Sequence, residues 1–124
     1  MERSRFTKRL YFIVFIFSLV VTGCASQGEM RIKSIQKKNP QWDQSTVEKL
    51  AALKIEPGMT KEMVSAALGK PGEETVKYGE TVWEYNGYRF SATGGVVIAH
   101  SYFVYFTDGK VTRTTGDPTR VGYR

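Results

Sequence analysis

The chain has 124 residues, a formal net charge of +6, one cysteine and one histidine. Its excess of positive charge lies in the first 41 residues, because residues 42–124 contain ten basic and ten acidic side chains. A balanced domain of this kind lacks the basic surface that nucleic-acid-binding proteins use. A single cysteine also excludes a disulfide within the chain.

The first 24 residues have the organisation of a secreted, lipid-modified precursor. Residues 2–9 carry four basic side chains, and residues 10–21 form an apolar run that is too short to span about 30 Å of hydrocarbon comfortably. The sequence Val-Thr-Gly-Cys follows and resembles the lipobox of bacterial lipoproteins. The pattern predicts a signal peptide over residues 1–23, cleavage between Gly23 and Cys24, and fatty acyl chains such as palmitate carried through the Cys24 sulfur. The alternative is a transmembrane anchor with an incidental cysteine.

Residues 24–42 are polar and basic, and Pro40 interrupts them. They show no strong helical periodicity, so the sequence predicts a flexible, lipidated linker. The basic side chains of this segment either bind anionic phospholipid headgroups or keep a tether soluble. They are Arg31, Lys33, Lys37 and Lys38.

Residues 43–116 have the pattern of one small domain, followed by a C-terminal tail over residues 117–124. The domain begins with an amphipathic segment in which Ser45 and Glu48 match a capping box. This match predicts a first helix over residues 45–54.

A second helix is predicted directly after the turn at Pro57 and Gly58. Thr60 is the type of residue that caps a helix N-terminus, and an apolar stripe of helical spacing follows it. Gly69 is expected to end this helix in a left-handed conformation, and Pro71 prevents its continuation.

After Gly72 the pattern becomes that of β-strands. Asn86–Gly87 and Asp108–Gly109 are both favoured two-residue hairpin turns, and residues 96–106 between them are β-branched and aromatic. The sequence therefore predicts an α+β fold of order ααβββ, in which two short helices pack on a three-stranded antiparallel sheet. An extra hairpin arm is expected around residues 85–97.

The strand over residues 96–106 is apolar on both of its faces. Helices can cover only one face of a sheet, so either the hairpin arm covers the other face or an aromatic surface is left for a partner. The candidate partner surface consists of Tyr85, Tyr102 and Val104.

The helix boundaries, the W-x-Y pair and the last hairpin together resemble the SmpA/OmlA (BamE-like) family over residues 46–115. The positions that carry the resemblance are Gly58, Met59, Thr60, Val64, Leu68, Gly69, Pro71, Trp83, Tyr85, Phe106, Gly109 and Val111. The resemblance implies a fold similar to half of the β-lactamase-inhibitor-protein fold. Most of these residues also have a structural explanation as turn, cap or core positions.

The resemblance implies a lipid-anchored, non-catalytic binding or scaffold module that acts in outer-membrane β-barrel assembly or in envelope integrity. It would face the periplasm from the outer membrane, and its partners would be other envelope proteins, the membrane and anionic phospholipid. The alternative is a stand-alone lipoprotein whose inhibitor-like or sensor domain binds another envelope protein or ligand. With no second histidine and no nucleophile motif, we expect no enzyme, no metal at His100 and no cofactor besides the lipid on Cys24.

Overall fold

The computed structural model describes residues 26–121, so Gly23, Cys24 and the predicted signal peptide lie outside the described residues. The chain divides into two units between residues 30 and 31, and the packing described below is that of the second unit. The helices within the described range are α1 (Gln27–Lys38), α2 (Gln44–Ala51) and α3 (Lys61–Leu68). None of them is long and apolar enough to cross a membrane.

An antiparallel sheet follows the helices, with its strands in the order in which they occur along the chain. The strands are β1 (Glu73–Lys77), β2 (Glu80–Phe90), β3 (Val96–Thr107) and β4 (Lys110–Thr115), and a 3-10 turn over Pro118–Arg120 comes last. The predicted α+β class is confirmed, but the sheet has four strands where three were predicted.

The additional strand is β1, which a tight turn at Tyr78–Gly79 joins to β2. Both turn residues have positive φ angles, 53° and 79°, as a two-residue hairpin of the favoured type requires. The strand was missed because residues 73–77 are mostly exposed and show no apolar alternation.

Helix α2 begins at a different cap from the one predicted. The carboxylate of Asp43 accepts hydrogen bonds from the backbone N–H of Thr46 at 3.1 Å and from its hydroxyl at 2.7 Å. The predicted capping box of Ser45 and Glu48 is therefore wrong, because Asp43, an equally good N-cap, lies two residues before Ser45 and caps the helix instead. Leu53, with φ of 59°, lies just beyond the end of the helix, which is shorter than predicted.

This cap predicts a pH-dependent loss of stability. The hydrogen bond from the Thr46 hydroxyl, followed by that from the Thr46 amide, lowers the pKa of Asp43 from its ordinary value of 3.8. The folded pKa is below the unfolded one, so the stabilisation is present above pH 3.8 and is lost as the pH falls through the folded pKa. Asp43→Ala should therefore lower the thermal midpoint at pH 7, and the difference from the unsubstituted protein should shrink in acid. Ser45→Ala is the control. If it lowered the thermal midpoint as much as Asp43→Ala does, the prediction that Ser45 caps the helix would be supported after all.

Helix α3 has the predicted boundaries. The hydroxyl of Thr60 accepts from the backbone N–H of Met63 at 3.3 Å, and Gly69 ends the helix with φ of 79°. The turn before the helix is held to β4, because the N–H of Gly58 donates to the carbonyl of Val111 and the N–H of Val111 donates to the carbonyl of Met59, both at 2.8 Å.

Removal of this cap has a predictable cost. Thr60→Ala leaves the Met63 amide without its acceptor and should lower the free energy of unfolding by about 1 kcal/mol. Thr60→Ser keeps the hydroxyl and should stay within about 0.5 kcal/mol of the unsubstituted protein. Urea unfolding followed by circular dichroism measures both, and equal losses in the two variants would contradict the capping role.

Residues 31–38 are not the flexible linker that the sequence predicted, because they lie in α1. Ile35 is buried in the core, and the guanidinium of Arg31 donates to the carbonyl of Ala67 at 3.0 Å. The missed signal is the spacing of Ile32 and Ile35, which places two aliphatic side chains on one side of an otherwise polar helix.

The predicted hairpin turn at Asn86–Gly87 is also wrong, because β2 continues through both residues to Phe90. The chain reverses over residues 91–95, where the N–H of Ser91 donates to the carbonyl of Gly95 at 2.7 Å. Gly87 is needed for a close approach instead, because a Cβ at this position would overlap with the carbonyl of Arg120.

The C-terminal segment that covers Gly87 belongs to the domain. Asp117 caps the 3-10 turn by accepting from the N–H of Thr119 at 2.9 Å, and Val121 is buried in the hydrophobic core. Residues 117–121 of the predicted tail therefore pack on the sheet, and residues 122–124 lie outside the described residues.

The core lies between the helices and one face of the sheet, which we call the inner face. The ring of Trp83 meets that of Phe106 edge-on, with centroids 4.8 Å apart. Burial of large aromatic side chains is the main source of stability in so small a domain. The buried side chains are Ile35, Val47, Leu50, Ala51, Met59, Val64, Ala67, Leu68, Trp83, Tyr85, Tyr102, Val104, Phe106, Val111 and Val121.

Candidate interaction surface

The residues predicted to form a partner surface lie in the core. Tyr85, Tyr102 and Val104 are only 3%, 2% and 0% exposed, respectively. The Tyr85 hydroxyl donates to the carbonyl of Gly69 at 3.0 Å, at the end of α3. The prediction was wrong because alternation shows that β3 has two apolar faces but does not show which of them the helices cover.

Burial also changes the acidity of the two tyrosines. Removal from water disfavours the phenolate and raises the pKa of Tyr85, with a smaller contribution from the neighbouring Tyr102. The pKa of Tyr102 is raised for the same main reason. Both hydroxyls therefore stay neutral at physiological pH and act as structural groups of the core.

The opposite face of the sheet, which we call the outer face, is partly covered by its own side chains. Phe103 and Tyr105 are half-buried there. The guanidinium of Arg113 lies 3.8 Å from the ring centroid of Tyr105 and donates to the carboxylate of Glu80 at 3.0 Å. This stack shields the middle of the outer face.

The exposed apolar surface lies instead at the end of the β2–β3 hairpin. Pairing of β2 with β1 ends at Glu84, and pairing of β3 with β4 begins at Phe103, so residues 85–102 project as a two-stranded hairpin arm. The arm continues β2 and β3 and does not fold back over the outer face. Tyr85 and Tyr102 at its base are buried, whereas four apolar side chains towards its tip are exposed: Tyr88 by 64%, Phe90 by 83%, Val96 by 61% and Ile98 by 56%.

A β-bulge brings these side chains to one face. Gly87 pairs with His100 but Tyr88 pairs with Ile98, which leaves Ala99 without a partner. Cross-strand partners share a face, so Tyr88 and Ile98 lie on the outer face together. Ile98 lies four positions from Tyr102 and would share its inner face in a regular strand, but the bulge turns it to the outer face.

The next cross-strand pair extends this surface, because Phe90 pairs with Val96. Phe90 follows Tyr88 by two residues and lies on the same face. We call the resulting surface the arm patch; it consists of Tyr88, Phe90, Val96 and Ile98.

Exposed side chains of this type are common singly but uncommon as a cluster. Two aromatic and two β-branched residues on one face of a projecting arm are typical of a binding surface. The composition of the sequence indicates this surface. Residues 85–107 contain no acidic side chain, and Arg89 and His100 are their only basic or imidazole side chains. The sequence prediction missed this surface because it placed a turn at Asn86–Gly87 and so ended the strand before Tyr88.

The positions that carry the family resemblance lie in the core and in the turns of the domain. Met59, Val64, Leu68, Trp83 and Phe106 are buried, whereas Pro71 is half-buried at the start of the sheet. Gly109 follows Asp108 in the tight turn between β3 and β4, with φ angles of 74° and 50°. This hairpin confirms the prediction from the sequence.

The basic side chains predicted to meet anionic lipid are exposed along α1: Arg31, Lys33, Lys37 and Lys38. Arg31 differs from the other three in its hydrogen bond to the carbonyl of Ala67. Over residues 26–121, no three His, Cys, Asp or Glu side chains come together in an arrangement that could hold a metal ion.

Comparison with known proteins agrees with this architecture. Residues 45–116, more than half of the chain, match the outer membrane protein assembly factor BamE domain. Searches of curated proteins and of solved structures find no match. The matched range contains the Thr60 cap and the Gly69 end of α3, the core of the sheet and the entire arm. The chain therefore belongs to the BamE family of outer-membrane protein assembly factor domains.

Proposed function

We propose that the protein is a non-catalytic binding module that holds another envelope protein during outer-membrane protein assembly. The family associates the chain with this process and with the periplasmic side of the outer membrane. The observation that carries the proposal is the arm patch, because its four exposed apolar side chains share one face and contribute nothing to the core. Such a surface gains free energy when a partner removes it from water.

The anchor of this module is proposed to be the lipid on Cys24. Val21, Thr22 and Gly23 precede the cysteine in the pattern of a lipobox. Two or more acyl chains hold a protein stably at a membrane, whereas a single chain holds it only reversibly. Intact mass spectrometry of the protein from its native membrane should show a chain that begins at Cys24 and carries the lipid mass. An unmodified thiol or a retained leader would contradict the anchor.

The basic residues of α1 support a second contact with the same membrane. Lys33, Lys37 and Lys38 are exposed and follow the proposed lipid by only nine to fourteen residues. Each basic side chain near an anionic surface contributes about 1 kcal/mol of attraction. The exposed ammonium groups therefore support binding to anionic phospholipid headgroups.

The function is tested by complementation of a deletion strain. The double substitution Tyr88→Ser with Phe90→Ser removes the two aromatic rings of the arm patch and should reproduce the outer-membrane protein defect of the deletion. Val76→Ser is the matched control, because Val76 is an exposed apolar residue of β1 outside the arm. The levels of outer-membrane proteins and the permeability to large antibiotics measure the result. Full complementation by the arm variant would contradict the proposal.

A further inference from the structure

Within the part of the chain that the structure describes, no strand pairs with the β2 edge of the arm beyond Glu84. The carbonyl of Glu84 accepts from the N–H of Gly72 at 2.8 Å, which is the last hydrogen bond at this edge of β2. Alternate residues of a strand point their N–H and C=O groups to the same side. Asn86, Tyr88 and Phe90 therefore direct theirs to the edge that β1 has left.

The opposite edge of the arm is less suited to pairing. The bulge at Ala99 interrupts the regular spacing of hydrogen-bonding groups along β3. At the base of this edge, Gly116 packs so closely that a Cβ would overlap with the carbonyl of Ser101. Bulges and covering segments are the features by which proteins prevent pairing at an edge, and among residues 26–121 the β2 edge has neither.

The combination of an open edge and an apolar face favours a protein partner over a lipid bilayer. Backbone groups without partners are strongly disfavoured in hydrocarbon, so an open strand edge does not enter it. An extended polypeptide satisfies the same groups through main-chain hydrogen bonds and places every second side chain on the arm patch.

The charge of the arm indicates the chemistry of this partner. Arg89 lies between Tyr88 and Phe90 and therefore on the inner side of the arm. It is exposed, and no acidic side chain among residues 26–121 forms an ion pair with it. A carboxylate on the neighbouring strand would lie opposite it in a favourable cross-strand pair.

We propose that the β2 edge of the arm binds an extended segment of a partner envelope protein by strand addition. The segment has apolar side chains beside Tyr88 and Phe90 and an acidic side chain beside Arg89. This proposal rests on the proposed function, of which it specifies the partner segment and its mode of binding.

The first experiment captures the partner from the full chain in living cells. A photo-crosslinking amino acid replaces Tyr88, and the same substitution at Tyr78 provides the control, because Tyr78 is exposed in the β1–β2 turn away from the arm. An adduct with one envelope protein from position 88 alone is expected, and mass spectrometry identifies the crosslinked segment. An adduct of twice the mass of the chain, or an adduct with lipid, would overturn the proposal in favour of a second copy or a membrane.

The second experiment distinguishes strand addition from contact through side chains alone. Amide hydrogen exchange is measured on the full chain with and without the captured partner. The N–H groups of Tyr88 and Phe90 should exchange at least about tenfold more slowly in the complex, because they gain main-chain acceptors. The N–H of Arg89 already faces Val97 across the hairpin and should change less. If a partner binds without this alternation, strand addition is wrong and the proposed function stands; if no position yields an envelope protein, both are wrong.

The role of the positive charge on Arg89 is tested by reversing that charge. Arg89→Glu should lower the crosslinking yield from position 88 by roughly three- to tenfold, because it replaces attraction by repulsion at one cross-strand pair. Lys77→Glu makes the same change of charge in β1 and should leave the yield unchanged. Equal yields for Arg89→Glu and the unsubstituted arm would overturn the acidic character of the segment.

Discussion

Replacement of Tyr102 by alanine is expected to remove a large share of the free energy of unfolding. The side chain is 2% exposed and packs among the aromatic residues of the inner face. Removal of a buried aromatic ring costs about 3–5 kcal/mol, because the lost contacts add to the cost of the cavity. A domain of this size has a total stability of about 5–10 kcal/mol, so the change removes a large share of it.

The measurement is urea unfolding followed by tryptophan fluorescence, which Trp83 in the core reports directly. Tyr102→Phe keeps the ring and should lose only about 1 kcal/mol. If Tyr102→Ala instead kept its unfolding midpoint and lost only partner binding, Tyr102 would be a binding residue, which is the candidate role that the sequence indicated. The two outcomes therefore distinguish a core role of Tyr102 from a role at the binding surface.

Replacement of Gly87 by alanine is expected to displace the C-terminal segment. The added methyl group would overlap with the carbonyl of Arg120, which is a backbone atom and has little freedom to move. Overpacking of this kind costs about 1–3 kcal/mol. Since Val121 follows directly and is buried, the loss should extend to its contacts with the core.

Thermal unfolding measures the stability of this variant, and trypsin cleavage after Arg120 measures the displacement. The cleavage should be faster in Gly87→Ala, because Val121 is no longer held in the core. Gly72→Ala is the control, because its Cβ would meet only an ordinary contact of 3.5 Å with the carbonyl of Glu84. Unchanged cleavage and midpoint in Gly87→Ala would show that the C-terminal segment moves aside for the added methyl group, and that its packing does not require glycine at this position.

These predictions separate the two roles of the β2–β3 hairpin. Its base stabilises the fold through Tyr85 and Tyr102, whereas its end presents the arm patch without stabilising anything. Substitutions at Tyr88 or Phe90 should therefore change binding and leave the free energy of unfolding within about 0.5 kcal/mol. The bulge at Ala99 connects the two parts, because it turns the side chains of β3 from the inner to the outer face.

Local signals in the sequence were sufficient for several elements. The cap at Thr60, the end of α3 at Gly69 and the hairpin at Asp108–Gly109 each depend on the chemistry of two or three neighbouring residues. The same local spacing carried the resemblance to the BamE family, which the match over residues 45–116 confirms. Where local chemistry alone selects a conformation, the sequence predicts it.

The sequence was less decisive where two neighbouring patterns predict different local structures. Ser45 and Asp43 are both good N-caps, and Asn86–Gly87 is a favoured turn that also fits a continuing strand. At Gly87 the strand continues, and the carbonyl of Arg120, more than thirty residues away, occupies the space that a side chain would need. No local pattern contains that information.

The sequence by itself determined the α+β class, the cap and end of α3 and the hairpin at Asp108–Gly109, and it contains the lipobox pattern. Only the tertiary structure decided that α1 packs through Ile35, that Tyr85 and Tyr102 are core, and that the arm patch is the exposed surface. The physical reason is that alternation records which side chains share a face, whereas burial depends on which face the helices cover. That choice is made by packing between distant parts of the chain.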